Sequence, residues 1–264
     1  MSGETLGGGT ALDAVYVMAY RQIKRFLRAP SRIVSSVINP IVWIVFFGLG
    51  WASAFKVPGI TRVLGGVDYV TYLVPGVIAM SVFTGGFLSG ISIIFDRQFG
   101  FLKEVLVAPT PRWAALLGRV IGDGLIATLQ AAIIALLSIP LVTIRVDGLL
   151  LAMVYAYMVA IAFAGMGVLI ASKLNSHEAF QMIMSFLLMP LLFLSGAFYP
   201  IKYMPSWMKV LAYLDPLTYG VDGIRYLLTS VTQIGLIIDT AALLALDAVF
   251  LAIASIVFEK MTID

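Results

Sequence analysis

The sequence predicts an all-α, multi-pass membrane protein with six transmembrane helices, and three observations predict it. Of its 264 residues, 61% are apolar and 12% charged, about half the charge of a soluble domain, and the mean hydropathy is +1.03. Five stretches between consecutive ionisable residues reach the ~20 apolar residues that one crossing needs. The 17 lysines and arginines also sort unevenly between the loops, as they do in polytopic proteins.

Each element follows in order. Met1 to Thr10 is polar and glycine-rich and lacks the basic-then-apolar order of a cleaved signal, so the first span is expected to target the chain uncleaved. An amphipathic helix over about 11–29 places Leu12, Val15, Ala19, Ile23, Phe26 and Leu27 at helical spacing, with Arg21, Lys24, Arg25 and Arg28 mostly elsewhere around it. Such a helix lies on an anionic lipid surface and ends at Ala29-Pro30. It either only anchors the first span or also braces a partner. The spans are expected at about 33–55, 69–95, 120–144, 148–172, 179–201 and 234–258. The turns Arg145–Asp147 and Lys173–Glu178 are tight, which predicts that spans three, four and five pack as antiparallel neighbours.

Eleven of the basic residues fall on one side: Arg21, Lys24, Arg25, Arg28, Arg32, Arg97, Lys103, Arg112, Arg119, Lys173 and Lys260. The positive-inside rule then puts both termini in the cytoplasm of a cell membrane protein. The first cytoplasmic loop, Asp96 to Pro109, carries Phe95, Phe99, Leu102 and Leu106 at i, i+4, i+7 and i+11, with Arg97, Lys103 and Glu104 supplying charge. The spacing predicts a short helix that either docks into a groove of another protein or caps the bundle. Outside, Gly196, Tyr199, Pro200, Pro205, Trp207, Asp215, Pro216 and Tyr219 belong to a segment of short helices. That segment is either an aromatic belt or a re-entrant excursion into the outer leaflet.

Several chemistries are absent. There is no cysteine and no Gly-x-x-x-x-Gly-Lys-Ser/Thr, so neither thiolate chemistry nor a P-loop is available. His177-Glu178 has no second histidine for a zinc helix, and Ser195 stands ~27 Å along its helix from His177, too far for activation. Asp247 lies inside the sixth span, where a carboxylate is either an ion site or a structural group. The spans offer few polar anchors, mainly Asn39, Gln130, Ser138, Gln181 and Ser185, which favours a hydrophobic or amphipathic cargo over a small ion. No basic stripe argues for nucleic acid.

Two stretches together resemble a known family: Phe95-Asp96-Arg97-Gln98-Phe99-Gly100-Phe101-Leu102-Lys103-Glu104 through Ala108-Pro109, and Phe193-Leu194-Ser195-Gly196, Tyr199-Pro200, Met204-Pro205 and Leu214-Asp215-Pro216-Leu217-Thr218-Tyr219-Gly220-Val221-Asp222-Gly223-Ile224-Arg225. The chain resembles the membrane subunit of type-2 ABC exporters, which move drugs, nodulation factors or polysaccharides. Asp215 departs from the pattern, since many relatives carry Asn there. The resemblance implies one transmembrane permease domain over 1–264 that pairs with a second permease subunit, identical or not. It implies a separate ABC-type ATP-binding subunit that docks on Arg97, Phe99, Gly100, Leu102, Lys103 and Glu104. No cofactor is then bound by this chain, and ATP and magnesium reside on the partner. Gly196 to Tyr219 would form the external gate. The competing expectation is an ion-coupled carrier working through Asp247.

Overall fold

The computed structural model describes residues 10–52, 54–55, 59–100, 111–174 and 176–259, the side chain of Arg32 excepted. Among these residues the chain forms helices and no strand, and six helices are long and apolar enough to cross a membrane. In chain order the helices are α1 (Ala11–Leu27), α2 (Pro30–Trp43), α3 (Ile60–Val63), α4 (Tyr69–Gln98), α5 (Arg112–Ser138), α6 (Leu149–Ser172), α7 (His177–Leu194), α8 (Ser206–Leu214), α9 (Pro216–Thr229) and α10 (Leu236–Glu259). Beyond Pro40 the first span loosens into a π-helical stretch, Ile44–Leu49, and closes with Gly50–Ala52. Pro40 lacks an N–H and leaves the carbonyl one turn earlier without its helical partner.

α6 is the axis of the bundle, with α4, α5, α9 and α10 packed around it. α4 and α6 run parallel and meet through small residues. A Cβ on Gly86 would stand 2.5 Å from the Ala160 carbonyl oxygen, and one on Gly90 would stand 2.3 Å from that of Gly167. Close backbone approach of this kind holds helices together in lipid, where apolar surface alone gives no preference for protein over acyl chain. The same device seats α1 on α5, where Gly118 and Gly122 face the backbone of Val15 and Ala19. α1 therefore turns Gln22 and Phe26 inward while Leu12, Tyr16 and Leu27 stay exposed.

Three expectations change. α7 does not run beside α6, despite their short connection. It leans on α4, where Phe180 meets Phe87 and His177 stacks on Phe95, because the faces of α6 are already taken by α4, α5, α9 and α10. α5 starts at Arg112 rather than near residue 120, since Arg119 and Asp123 are drawn into the helix by partners described below. α7 ends at Leu194 rather than near residue 201, because Gly196, at φ 75°, turns the chain.

Helix ends sort into two groups. The end of α4, the start of α5 and the junction of α6 with α7 gather Arg21, Arg97, Arg112 and Arg119 at what we call the basic end. The opposite, aromatic end holds the start of α4, the α5–α6 and α7–α8 connections, α8, α9 and the start of α10.

Candidate functional site

At the basic end, α4 continues as regular helix through Arg97, so the first residues of the expected docking helix are the last turn of a span. Asp96 is 6% exposed and ion-pairs with Arg119 of α5, with Arg21 of α1 at 3.7 Å. A carboxylate taken out of water must be paired, and this one is. Arg97 turns the other way and donates to the carbonyls of Ser172 and Leu174, at 3.2 and 3.3 Å, capping the end of α6. Gln22 reaches Asp123 at 3.4 Å. Gly100, at φ 78°, ends the helix, and Phe99 is left 81% exposed. Leu102, Lys103 and Glu104 lie outside the described residues.

At the aromatic end, Asp215 caps α9 through a 2.9 Å bond from the Leu217 N–H. Its second oxygen has no donor among the described residues, and burial holds the carboxyl well above the ordinary carboxylate range. Thr218 and Tyr219 donate back to the carbonyls of Ala212 and Tyr213, both at 2.6 Å, which folds α8 and α9 into a hairpin. Tyr72, in the first turn of α4, donates its hydroxyl to the Gly196 carbonyl and accepts from the Gln233 amide, each at 3.1 Å. Arg225 of α9, 1% exposed, donates to the carbonyls of Tyr72, Gly196 and Ala197 at 3.3, 3.0 and 3.2 Å. Asp222 collects the Thr232 hydroxyl and the N–H groups of Gln233 and Ile234 at 2.7 to 2.9 Å, which closes the link to α10. Pro200 and Pro205 flank the short 3-10 turn Ile201–Tyr203, and Tyr199 and Met208 pack against a small apolar cluster of Ile201, Met204 and Ala212.

Between the first span and α7 lies an open apolar cleft of about 430 Å³, lined by Trp43, Phe47, Trp51, Phe55, Tyr69, Phe193 and Phe198 among others. Asp247 is half-buried, one oxygen lacking a partner among the described residues. Asp239 is fully buried, neither oxygen has a donor among the described residues, and it faces Asp222. No cluster of His, Cys, Asp and Glu among the described residues could hold a metal.

The ABC-2 type transporter family matches residues 13–229, a stretch that contains Asp96, Arg119, Tyr72, Asp222 and Arg225 and the first five spans. The chain belongs to the ABC-2 type transporter family. It is 28% identical over 222 residues to the Cyanophora paradoxa protein named transport permease ycf38, covering 82% of this chain and 74% of that one. Against the Escherichia coli inner membrane transport permease YadH it is 25% identical over 232 residues, 87% and 88% of the two chains. With the Escherichia coli protein YbhR, named for multidrug ABC transport, it shares 30% identity over 159 residues, 59% and 43% of the two chains. As an ABC-2 permease it is the multi-pass transmembrane subunit of an ABC transporter, a family that works in general with an ABC ATP-binding partner.

Within this permease the structure brings Gly196, Asp215, Pro216 and Tyr219 to one end. Arg97, Phe99 and Gly100 stand at the other, and Asp247 lies apart in α10. Sequence reasoning missed Arg119, Tyr72, Asp222 and Arg225 as members of the two polar centres. Arg119 had the signal of a charge flanked by apolar turns, and Arg225 that of a cation on a segment otherwise aromatic and apolar. Tyr72, one tyrosine among eleven, had none.

Proposed function

We propose that the chain is half of an ATP-driven exporter in the cell membrane, with both termini cytoplasmic and the basic end facing the ATP-binding partner. The observation that carries this reading is the reach of α4. Its 30 residues span about 45 Å at ~1.5 Å per residue, and it bears Asp96, Arg97 and the exposed Phe99 at one end and Tyr72 at the other. A push on the segment that follows Gln98 is delivered along one rigid, mostly buried helix to the closure at the aromatic end. ATP and magnesium act on the partner, whose closure supplies that push. In this reading Leu102, Lys103 and Glu104 complete the docking segment with Arg97, Phe99 and Gly100, and Gly196, Tyr199, Pro200, Pro205, Asp215, Pro216 and Tyr219 belong to the outer gate.

The cleft between the first span and α7 supports a hydrophobic or amphipathic cargo with flat apolar groups, because its walls are aromatic faces with little polar surface. The two spans that flank it are the least buried of the six, at 17% each. A second permease subunit set against those faces would close the cleft into a shared pathway. The remaining apolar exterior faces lipid.

The test is co-purification of the tagged chain with its ATP-binding subunit, followed by transport assays in proteoliposomes. The reading expects ATP-dependent export, crosslinking of the Phe99–Ala108 segment to the ATPase, and near-complete loss of transport with persisting ATP hydrolysis in Phe99→Ala. A chain that purifies alone and transports on an ion gradient, with loss of activity in Asp247→Asn, would overturn it.

A further inference from the structure

A buried cation ties the aromatic end shut. The three carbonyls bound by Arg225 belong to two elements, since Tyr72 lies in α4 while Gly196 and Ala197 form the connection after α7. The guanidinium also lies 3.9 Å over the Tyr72 ring, and the Tyr72 hydroxyl fastens Gly196 a second time. The seat under this connection is bare backbone, for a Cβ on Gly76 would stand 2.7 Å from the Ala197 carbonyl oxygen. Connection, α4 and α9 thus meet at one side chain.

Two features suit this contact to opening and closing. Its acceptors are neutral carbonyls, so withdrawing the guanidinium strands no anion, whereas separating Asp96 from Arg119 would. Asp222, the acid one turn earlier on α9, grips the 232–235 connection rather than α4. Both charges therefore travel with α9 when it shifts.

We propose that Arg225 is the positioning residue of the outer gate: its guanidinium clamps the Gly196–Ala197 connection onto Tyr72 of α4, and the gate opens when α9 withdraws it. The proposal rests on the export reading and names the side chain that holds that gate closed.

The absence of cysteine makes a clean reporter available. Ile201 is 2% exposed beside Gly196, so Ile201→Cys is the sole thiol of the permease, to be assembled with its ATP-binding subunit in nanodiscs and exposed to a membrane-impermeant maleimide. The proposal expects labelling about tenfold faster during ATP turnover than at rest, a shift in the population of the open state. Arg225→Lys, whose ammonium cannot fork across three carbonyls and stack on the ring, should label at the fast rate without ATP while ATP hydrolysis persists. Tyr72→Phe, which keeps the ring and loses the hydroxyl, should fall between.

Slow labelling at rest in Arg225→Lys, equal to that of the parent, overturns the proposal, as does labelling of the parent that ATP does not change while export proceeds. Should Arg225→Lys fail to insert, Tyr72→Phe decides: resting labelling unchanged from the parent overturns it. A parent complex that exports nothing with ATP refutes the export reading instead, and leaves the resting comparison of Arg225→Lys with the parent intact.

Discussion

Asp96 of α4 and Arg119 of α5 are ion-paired inside the protein, at 6% and 4% exposure. Each has left water, so each depends on the other. Asp96→Ala should destabilise the permease by about 3–5 kcal/mol because it leaves a buried guanidinium without its carboxylate. The pair replaced together, Asp96→Leu with Arg119→Met, should recover most of that loss. Thermal unfolding in detergent checks it, and a double variant as unstable as the single one would show that the pair does more than neutralise itself.

Asp215 gives the α8–α9 hairpin a pH dependence. Burial raises its folded pKa above the ordinary carboxylate value, against the smaller opposing pull of the Leu217 N–H. The folded state therefore holds the proton more tightly than the unfolded state. The associated stability is fully present at pH below the unfolded value and is lost as pH rises through the folded one. Asp215→Asn keeps an oxygen for the Leu217 N–H and has no charge to bury, so it should flatten that slope and exceed the parent in stability at neutral pH. Melting curves from pH 4 to pH 8 that superimpose for the two proteins would refute this.

Gly90 sets the spacing of α4 and α6. A side chain there would meet the Gly167 carbonyl oxygen at 2.3 Å, and both partners are helix backbone that cannot step aside. Gly90→Val should cost more than the ~1–3 kcal/mol typical of core overpacking, read as loss of the folded fraction on size-exclusion chromatography. Gly50→Val, with nothing within 4 Å of its Cβ, is the matched control and should leave that fraction unchanged.

Asp222 and Asp239 face each other with opposite surroundings. Asp222 satisfies a hydroxyl and several backbone N–H groups, each worth ~1–3 kcal/mol if left buried and unpaired. Asp222→Leu should then lose several kcal/mol and free the 232–235 connection, visible as faster amide hydrogen exchange there. Asp239 receives no donor among the described residues, and Asp239→Asn supplies one toward Asp222. That variant should match or exceed the parent in thermal stability; a loss comparable to that of Asp222→Leu would contradict the assignment.

The six spans, the amphipathic α1 and the proline-broken segment before the last span were legible because bilayer thickness and helical period act on composition alone. What charge counting misread was Arg119 and Asp123. It treats every ionisable residue as facing water, yet the partners that draw these two inside lie on α4 and α1. The place of α7 was illegible for a related reason: connection length restrains a helix, but the faces left free on α6 decide where it lies. At the aromatic end, the prolines and aromatic residues between Gly196 and Tyr219 marked a segment of short helices. The joining of Tyr72 to Arg225 depends on residues 153 positions apart, which no local pattern encodes.

The parallel pairing of α4 with α6 bears on how the chain is made. α4 leaves the ribosome first, carrying Asp96 and a bare glycine stripe, and its main companion follows only after α5 has crossed in the opposite direction. Until then the newly inserted helix lacks the backbone that fits Gly86 and Gly90. It must wait beside the insertion machinery or accept a poor fit with lipid. Nascent chains halted after Ser138 should therefore be rapidly degraded, and those extended past Ser172 should persist.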